Sequence, residues 1–128
     1  MNPDLQVNQG KTFDLEARTL QFGRRVRSFV NQLPRTVCNI EDVKQLARSS
    51  GSVGANYIEA NEAISKKDFA HRLRIARKEA KESRHWLRLL DTGGKVEPER
   101  ERDALIQEAT ELVRIFSAIL KPFEPDHR

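Results

Sequence analysis

The chain has 128 residues, of which 38% are hydrophobic and 33% charged, and its formal net charge is +4. This length suits one domain with its own core, and the composition is typical of a charged globular protein rather than a disordered one. The single cysteine, Cys38, excludes an internal disulfide and a cysteine-based zinc site. No signal peptide and no apolar run long enough to span a bilayer is recognisable, so we expect a cytoplasmic protein without membrane contact.

The spacing of apolar residues predicts four helices and no strand. Residues 1–11 are polar and are expected to be flexible. The first helix is predicted from Thr12 to Leu33, where Pro34 ends it. The second helix is predicted to begin with Asn39 as its N-cap, because an asparagine side chain can accept a hydrogen bond from the first turn.

The third helix is predicted to begin after the capping residue Ser65 and to end at a Gly-Gly pair, and the fourth carries Pro98 in its first turn. Short connections favour antiparallel neighbours. We therefore predict an all-α, antiparallel up-down four-helix bundle over residues 12–123, followed by a tail at 124–128. The predicted core stripes comprise Leu15, Phe22, Val26, Phe29, Val30, Leu33, Val43, Leu46, Ser50, Val53, Tyr57, Phe69, Leu73, Ala76, Ala80, Ser83, Leu87, Leu90, Leu105, Ala109, Leu112, Val113, Phe116, Ile119 and Leu120.

The second helix contains an unusual run of small residues, R-S-S-G-S-V-G-A-N. The run lacks the lysine and the preceding strand of a phosphate-binding P-loop. Gly51 and Gly54 each cost a helix about 1 kcal/mol relative to alanine, so we expect another backbone to approach closely here. Gly51, Ala55 and Ile58 point away from the core face, which predicts a contact with another subunit. The alternative is that these small residues simply tolerate exposure.

Three apolar residues of the third helix, Ile75, Trp86 and Leu89, also lie off its core stripe. An exposed tryptophan is a common interface anchor, so we predict that these residues take part in the subunit interface. The alternative is that Trp86 covers the end of the bundle.

The basic excess lies in the third helix, where nine Lys and Arg residues against three Asp and Glu residues give a net charge of +6. A basic stripe along a helix is the electrostatic signature of a phosphate-binding surface. The candidate nucleic-acid-binding residues are Lys67, Arg74, Arg77, Lys78, Lys81, Arg84, Arg88, Arg24, Arg25 and Arg27. The alternative is an ordinary solvated face, in which Lys78 pairs with Glu82.

No constellation of residues predicts catalysis, a metal site or a cofactor, so we do not expect an enzyme. Cys38 has no base beside it in the sequence and is interpreted as a spare thiol. Asn56, Glu59 and Asn61 are the best polar candidates for a site. Their alternative role is a hydrogen-bonded network that fixes helix ends and the register of subunits.

Residues 45–90 resemble the bacterial four helix bundle protein family, also called the rRNA intervening-sequence protein family. The shared pattern is Q-L-x-R-S, S-(I/V)-x-A-N and a glutamate, then S-x-K-(D/E)-F and A-R-x-(S/E)-x-x-E. The matching residues are Gln45, Leu46, Arg48, Ser49, Ser52, Val53, Ala55, Asn56, Glu59, Ser65, Lys67, Asp68, Phe69, Ala76, Arg77 and Glu82. The fourth helix is similar too, so the resemblance covers about residues 13–121, whereas E-A-N-E-A departs from the family's E-G at a turn.

The resemblance implies four-helix protomers that assemble into a ring, typically a homopentamer. It also implies similarity to the accessory protein of diversity-generating retroelements, which binds nucleic acid and a reverse transcriptase, and to reading frames within intervening sequences of large-subunit rRNA genes. No enzymatic activity is established for the family as a whole. We therefore expect a non-enzymatic, ring-forming protein that binds RNA or DNA. The alternative is a purely structural protein–protein interaction module.

Overall fold

The computed structural model describes residues 14–125, which contain four long helices and, as predicted, no strand. The helices are α1 (Leu15–Val30), α2 (Val37–Asn61), α3 (Lys66–Leu89) and α4 (Val96–Leu120), and a short 3-10 helix follows α4 at Lys121–Phe123. The segment 1–11 that we predict to be flexible lies outside the described residues, as do positions 12 and 13 of the predicted first helix and residues 126–128 of the predicted tail.

Contacts between neighbouring helices show that the bundle is antiparallel. Ser49 in the middle of α2 meets Ser83 of α3, whereas Asn39 at the start of α2 meets Asp91, beyond the end of α3. Contacts between α3 and α4, between α1 and α2, and between α1 and α4 show that each of these pairs is antiparallel as well. The predicted bundle of four mutually packed helices is therefore confirmed.

The core consists of the apolar stripes predicted from the sequence, and every one of those stripe positions is buried or half-buried. Phe22, Phe29 and Phe116 are its largest fully buried side chains, and Tyr57 lies against Phe116 with 6.2 Å between ring centroids. Burial of these side chains removes apolar surface from water, which is the main force that holds the helices together.

Small side chains allow α1 and α2 to cross closely. A Cβ atom placed on Gly54 would lie 3.0 Å from Thr19 Oγ1 and 3.7 Å from the Thr19 carbonyl carbon. The backbone that the sequence predicts near this glycine is therefore α1 of the same chain. Gly51 differs, because a Cβ atom there would meet only the guanidinium end of Arg27, at 3.4 Å.

The N-cap of α2 is Thr36, so the prediction that Asn39 fills this role was wrong. Thr36 Oγ1 accepts a hydrogen bond from the Asn39 backbone N–H at 3.0 Å. The Asn39 side chain, only 3% exposed, instead joins two loops. Its Nδ2 donates to the carbonyl oxygens of Pro34 and Asp91 at 2.9 Å each, and its Oδ1 accepts from the Asp91 N–H at 3.0 Å. The Asn39 side-chain amide therefore forms tertiary hydrogen bonds with the two loops and is not used to cap its own helix.

Other helix ends follow local rules more closely. Helix α1 ends at Val30 rather than at Leu33, because the residue before a proline disfavours the helical conformation. Ser65 caps α3 as predicted, with its hydroxyl accepting a backbone N–H of the first turn at 3.0 Å. Helix α3 ends at Leu89, before the Gly-Gly pair that we predict as its end. Gly93 and Gly94, with φ angles of +73° and +72°, instead reverse the chain between α3 and α4.

The crossing of α1 and α2 predicts a large effect of bulk at Gly54. Gly54→Leu should lower the free energy of unfolding by about 1–3 kcal/mol, because the added side chain forces the helices apart. Gly51→Leu is the control on the same helix and should lose less, since among the described residues its Cβ would meet the movable end of Arg27 rather than a neighbouring backbone. Urea denaturation followed by circular dichroism measures both losses. Unchanged stability of Gly54→Leu would contradict the close crossing.

The buried amide of Asn39 gives a second prediction. Asn39→Ala leaves the Asp91 N–H and two carbonyl oxygens without their partner and should cost roughly 1–3 kcal/mol. Asn56→Ala makes the same chemical change on the same helix. Among residues 14–125, the Asn56 side chain bonds only to the Ser52 carbonyl oxygen of its own helix, so this control should be close to neutral in the same urea titration. Equal losses of unfolding free energy in the two variants would show that the contact between the loops adds nothing to stability beyond an ordinary hydrogen bond within a helix.

Candidate functional site

The exposed side of α3 carries four cationic side chains in a row. Helix α3 packs against α2 on one flank and α4 on the other, so its remaining side faces solvent. Lys67, Lys78, Lys81 and Arg88 are exposed there and span roughly 30 Å at 1.5 Å per residue. No ion pair between described residues involves any of the four. We call these four residues the lysine stripe.

Two predicted phosphate-binding arginines are held by the turn that follows α4. Arg74 Nε donates to Glu124 Oε2 at 3.1 Å, and Arg77 Nη2 donates to Glu124 Oε1 at 3.0 Å. These hydrogen bonds, first that from Arg74 and then that from Arg77, lower the pKa of the Glu124 carboxyl. Glu124 belongs to the tail predicted from the sequence, and nothing in the sequence indicated this contact.

A third arginine forms part of the seam between α3 and α4. Arg84 Nη1 donates to Thr110 Oγ1 at 3.2 Å. About two helical turns earlier in α3, Arg77 Nη1 donates to Ser117 Oγ at 3.3 Å. Both arginines are half-buried. Their position on the flank of α3 places them against α4, so they hold the two helices together.

The arginines of α1 do not extend the lysine stripe. Helices α1 and α3 both have α2 and α4 as neighbours and lie at opposite corners of the bundle. Arg25 pairs with Glu101 of α4 at 3.2 Å, whereas Arg24 and Arg27 are exposed. The structure therefore separates the predicted binding residues of α1 from those of α3.

The seam between α2 and α3 also uses charged and polar groups. Glu82 lies 3.4 Å from Arg48 of α2, so its ion pair joins α3 to α2 and does not involve Lys78 of its own helix. Arg48 also lies 3.6 Å from the buried Glu79. The Lys78–Glu82 pair that the alternative interpretation assumes is not formed among the described residues, because α2 brings an arginine to the flank of α3.

An apolar groove of about 680 Å³ runs between the outer sides of α1 and α2. Its lining is mainly apolar or small: Ala17, Leu20, Gly23, Gly51, Gly54, Ala55 and Ile58. Thr19, the acidic Asp14 and Glu16 and the basic Arg24 and Arg27 also line it. Leu20 is 55% exposed and Ile58 45% exposed. The groove thus brings together three of the predicted subunit-contact residues. Sequence reasoning missed Leu20, although its position off the α1 core stripe was a usable signal.

The predicted subunit-contact residues of α3 are not part of this groove. Ile75 and Trp86 are half-buried, and Trp86 packs against the core. The His85 ring meets the Trp86 ring edge-on, with 5.0 Å between their centroids. Leu89 is 54% exposed and is the one of the three that presents most of its side chain to solvent.

The remaining polar candidates do not form one cluster. Asn56 bonds to a carbonyl oxygen of its own helix, and Glu59 and Asn61 are exposed. Cys38 lies exposed in the first turn of α2. Within residues 14–125, no three His, Cys, Asp or Glu side chains are grouped closely enough to hold a metal ion. Nor does any helix in that range combine the length and apolar character needed to cross a membrane.

Fold and surface together define a four-helix protein with one strongly basic helix. A family model described as 23S rRNA-intervening sequence protein matches residues 11–118. The chain therefore belongs to the 23S rRNA-intervening sequence protein family, which confirms the resemblance seen in the sequence.

A solved structure is similar in the same region. It is the crystal structure, at 1.70 Å resolution, of a protein of unknown function from the S23 ribosomal protein family of Bacteroides thetaiotaomicron VPI-5482. The two chains are 31% identical and align with a TM-score of 0.72 over 83% of this chain and 97% of that one. Among curated proteins, none matches this sequence significantly.

Proposed function

We propose that this protein is a non-enzymatic nucleic-acid-binding protein whose lysine stripe contacts the phosphate backbone of RNA or DNA. The observation that carries the proposal is the row of four exposed cations without ion-pair partners among the described residues. A rigid helix holds them at fixed spacing, so several phosphates of one strand can be contacted together.

The contacts available on this surface are mainly electrostatic. Lysines, which bind phosphate as point charges, make up most of the stripe. Trp86, the nearest aromatic group for stacking on a base, is half-buried against the core. The surface therefore offers few groups that could stack on bases or read their edges. We expect binding with weak sequence preference and an affinity that depends strongly on salt.

We further propose that the protein assembles into a ring of identical subunits, a homopentamer by family resemblance, with the groove between α1 and α2 at the subunit contact. The apolar groove supports this proposal, because Leu20 and Ile58 remain exposed in the single chain. The groove lining carries both acidic and basic side chains, which suits a partner surface that also carries both. A ring repeats the lysine stripe, so weak phosphate contacts add through multivalency.

Two finer roles follow from the resemblance alone. A reverse transcriptase is then a candidate protein partner, and an rRNA locus a candidate genetic setting.

The competing function is a purely structural interaction module. It is favoured by the internal use of Arg25, Arg74, Arg77 and Arg84, whose guanidinium groups bond to other parts of the bundle.

Charge reversal on the stripe tests nucleic-acid binding. The triple variant Lys67→Glu, Lys78→Glu, Lys81→Glu should abolish the mobility shift of duplex DNA and of structured RNA at low salt. For the unsubstituted protein, the logarithm of the binding constant should fall with the logarithm of salt concentration, with a slope of about −0.9 for each phosphate neutralised on duplex DNA. The variant should keep its helical circular dichroism, because all three side chains are exposed.

A matched triple variant separates the stripe from net charge. Lys44→Glu, Arg100→Glu, Arg114→Glu makes the same charge change at exposed positions of α2 and α4. It should retain most of the binding. Equal losses in both triple variants would mean that overall charge, and not this surface, attracts the nucleic acid. No shift of the unsubstituted protein at low salt would leave the structural module as the better function.

The mass in solution tests assembly. Light scattering coupled to size exclusion should give several times the 14.7 kDa of one chain at micromolar concentration. Ile58→Glu places a charge in the groove and should reduce that mass towards one chain. The control Ile64→Glu makes the same change at a side chain that is 94% exposed and outside the groove, and should leave the mass unchanged. A monomeric unsubstituted protein would contradict the ring.

A further inference from the structure

The segment after α4 turns back onto α3 and holds two of its arginines. The Phe123 ring lies against Phe69, with 5.8 Å between centroids, and the Phe123 carbonyl oxygen accepts a hydrogen bond from Arg74 Nη2 at 3.1 Å. The Glu124 carboxylate accepts one hydrogen bond from Arg74 and one from Arg77. One apolar contact and three hydrogen bonds therefore fix the position of this carboxylate.

A carboxylate that bridges two guanidinium groups occupies a place that suits phosphate. Arginine presents a planar fork of N–H donors that matches the oxygens of carboxylates and of phosphates alike. Arg74 and Arg77 are half-buried at the border of the lysine stripe, each about one helical turn before a lysine of the stripe, Lys78 and Lys81 respectively. Arg77 also bonds to Ser117, a contact independent of Glu124.

We propose that Arg74 and Arg77 form a phosphate-binding site that Glu124 occupies in the free protein, so that the segment after α4 and a nucleic-acid backbone compete for the same two arginines. This inference rests on the proposed function and deepens it. In the free protein, the lysine stripe is exposed to solvent, whereas the two adjoining arginines are hydrogen-bonded to the Glu124 carboxylate. Displacement of Glu124 adds two guanidinium groups to the phosphate-binding surface.

The contacts that hold Glu124 are of a kind that an external anion can replace. The side chain of Arg74 is 40% exposed and that of Glu124 is 29% exposed, and ion pairs with this much exposure to water contribute little to stability. Glu124 directly follows a 3-10 helix of only three residues, and an element this short opens more readily than the long helix before it. The half-buried Phe123 ring is the main apolar contact that opening would expose.

The charge of Glu124 persists at neutral pH. Hydrogen bonds from Arg74 and from Arg77 lower the pKa of its carboxyl. A phosphate group must therefore compete with a carboxylate rather than with a neutral acid. The competition depends on salt, because both the ion pair and the phosphate contacts weaken as ions screen them.

Removing the charge of Glu124 tests the proposal. Glu124→Gln keeps the size of the side chain and releases the two arginines. Its affinity for duplex DNA at low salt should rise by roughly tenfold, and its salt slope should steepen by up to about 1.8, which corresponds to two more neutralised phosphates. Binding of the unsubstituted protein and of the variant is measured on the same duplex across a salt series, with circular dichroism to confirm equal helix content.

Glu97→Gln is the matched control for charge. Glu97 pairs with Arg100 on the exposed start of α4, so this substitution makes the same charge change and also releases an arginine, but outside α3. It should leave the slope unchanged. In a second control, Arg74→Gln and Arg77→Gln are added to Glu124→Gln and should remove the gain.

The outcomes separate this inference from the proposed function. Identical affinity and slope for Glu124→Gln and the unsubstituted protein would overturn the competition and leave the lysine stripe as the binding surface. An equal gain for Glu97→Gln would overturn it too, because net charge alone would then explain the effect. Binding by Glu124→Gln without binding by the unsubstituted protein would support the competition in its strongest form. Absence of binding by both proteins would overturn both proposals.

Discussion

The structure depends on the narrowness of α2. Thr19 of α1 approaches Gly54 so closely that an added Cβ would lie 3.0 Å from its hydroxyl oxygen. On its α3 side, the fully buried Ser49 meets Ser83, with 2.9 Å between the hydroxyl oxygens. Because α2 has small residues at these two points, α1 and α3 both approach it closely there, which fixes the positions of α1 and α3 relative to each other. Two surfaces follow from this arrangement: the groove between the outer sides of α1 and α2, and the solvent-facing side of α3.

The position of a cation around α3 decides what it does. Arginines on the flank that faces α4 reach hydroxyl groups and the Glu124 carboxylate, and they stabilise the seam between helices. Cations that point directly away from the core, such as Lys78 and Lys81, find no acidic partner among the described residues. The cations behind the net charge of +6 on this helix therefore fall into two groups, those bonded within the bundle and those exposed to solvent. The proposed binding of nucleic acid rests on the exposed group.

The two surfaces lie far enough apart to serve together. Helix α1 and helix α3 occupy opposite corners of the bundle, so a neighbour that fills the α1–α2 groove of one subunit would not cover the lysine stripe of that same subunit. This compatibility is what links the proposed ring to the proposed nucleic-acid binding. Membership of the 23S rRNA-intervening sequence protein family accounts for the fold, and the solved structure from the S23 ribosomal protein family has no known function of its own to transfer.

Sequence periodicity by itself determined the number of helices, their order, their core faces and the Ser65 cap, because these depend on contacts within a few residues along the chain. It also located the basic excess in α3 and the close approach of a backbone at Gly54. Only the tertiary structure decided which backbone that was, that Asn39 joins two loops instead of capping α2, and that Arg74 and Arg77 are bound by Glu124. Each of these outcomes depends on residues distant in the sequence that compete for one donor or acceptor, and helical spacing carries no information about which distant partner prevails.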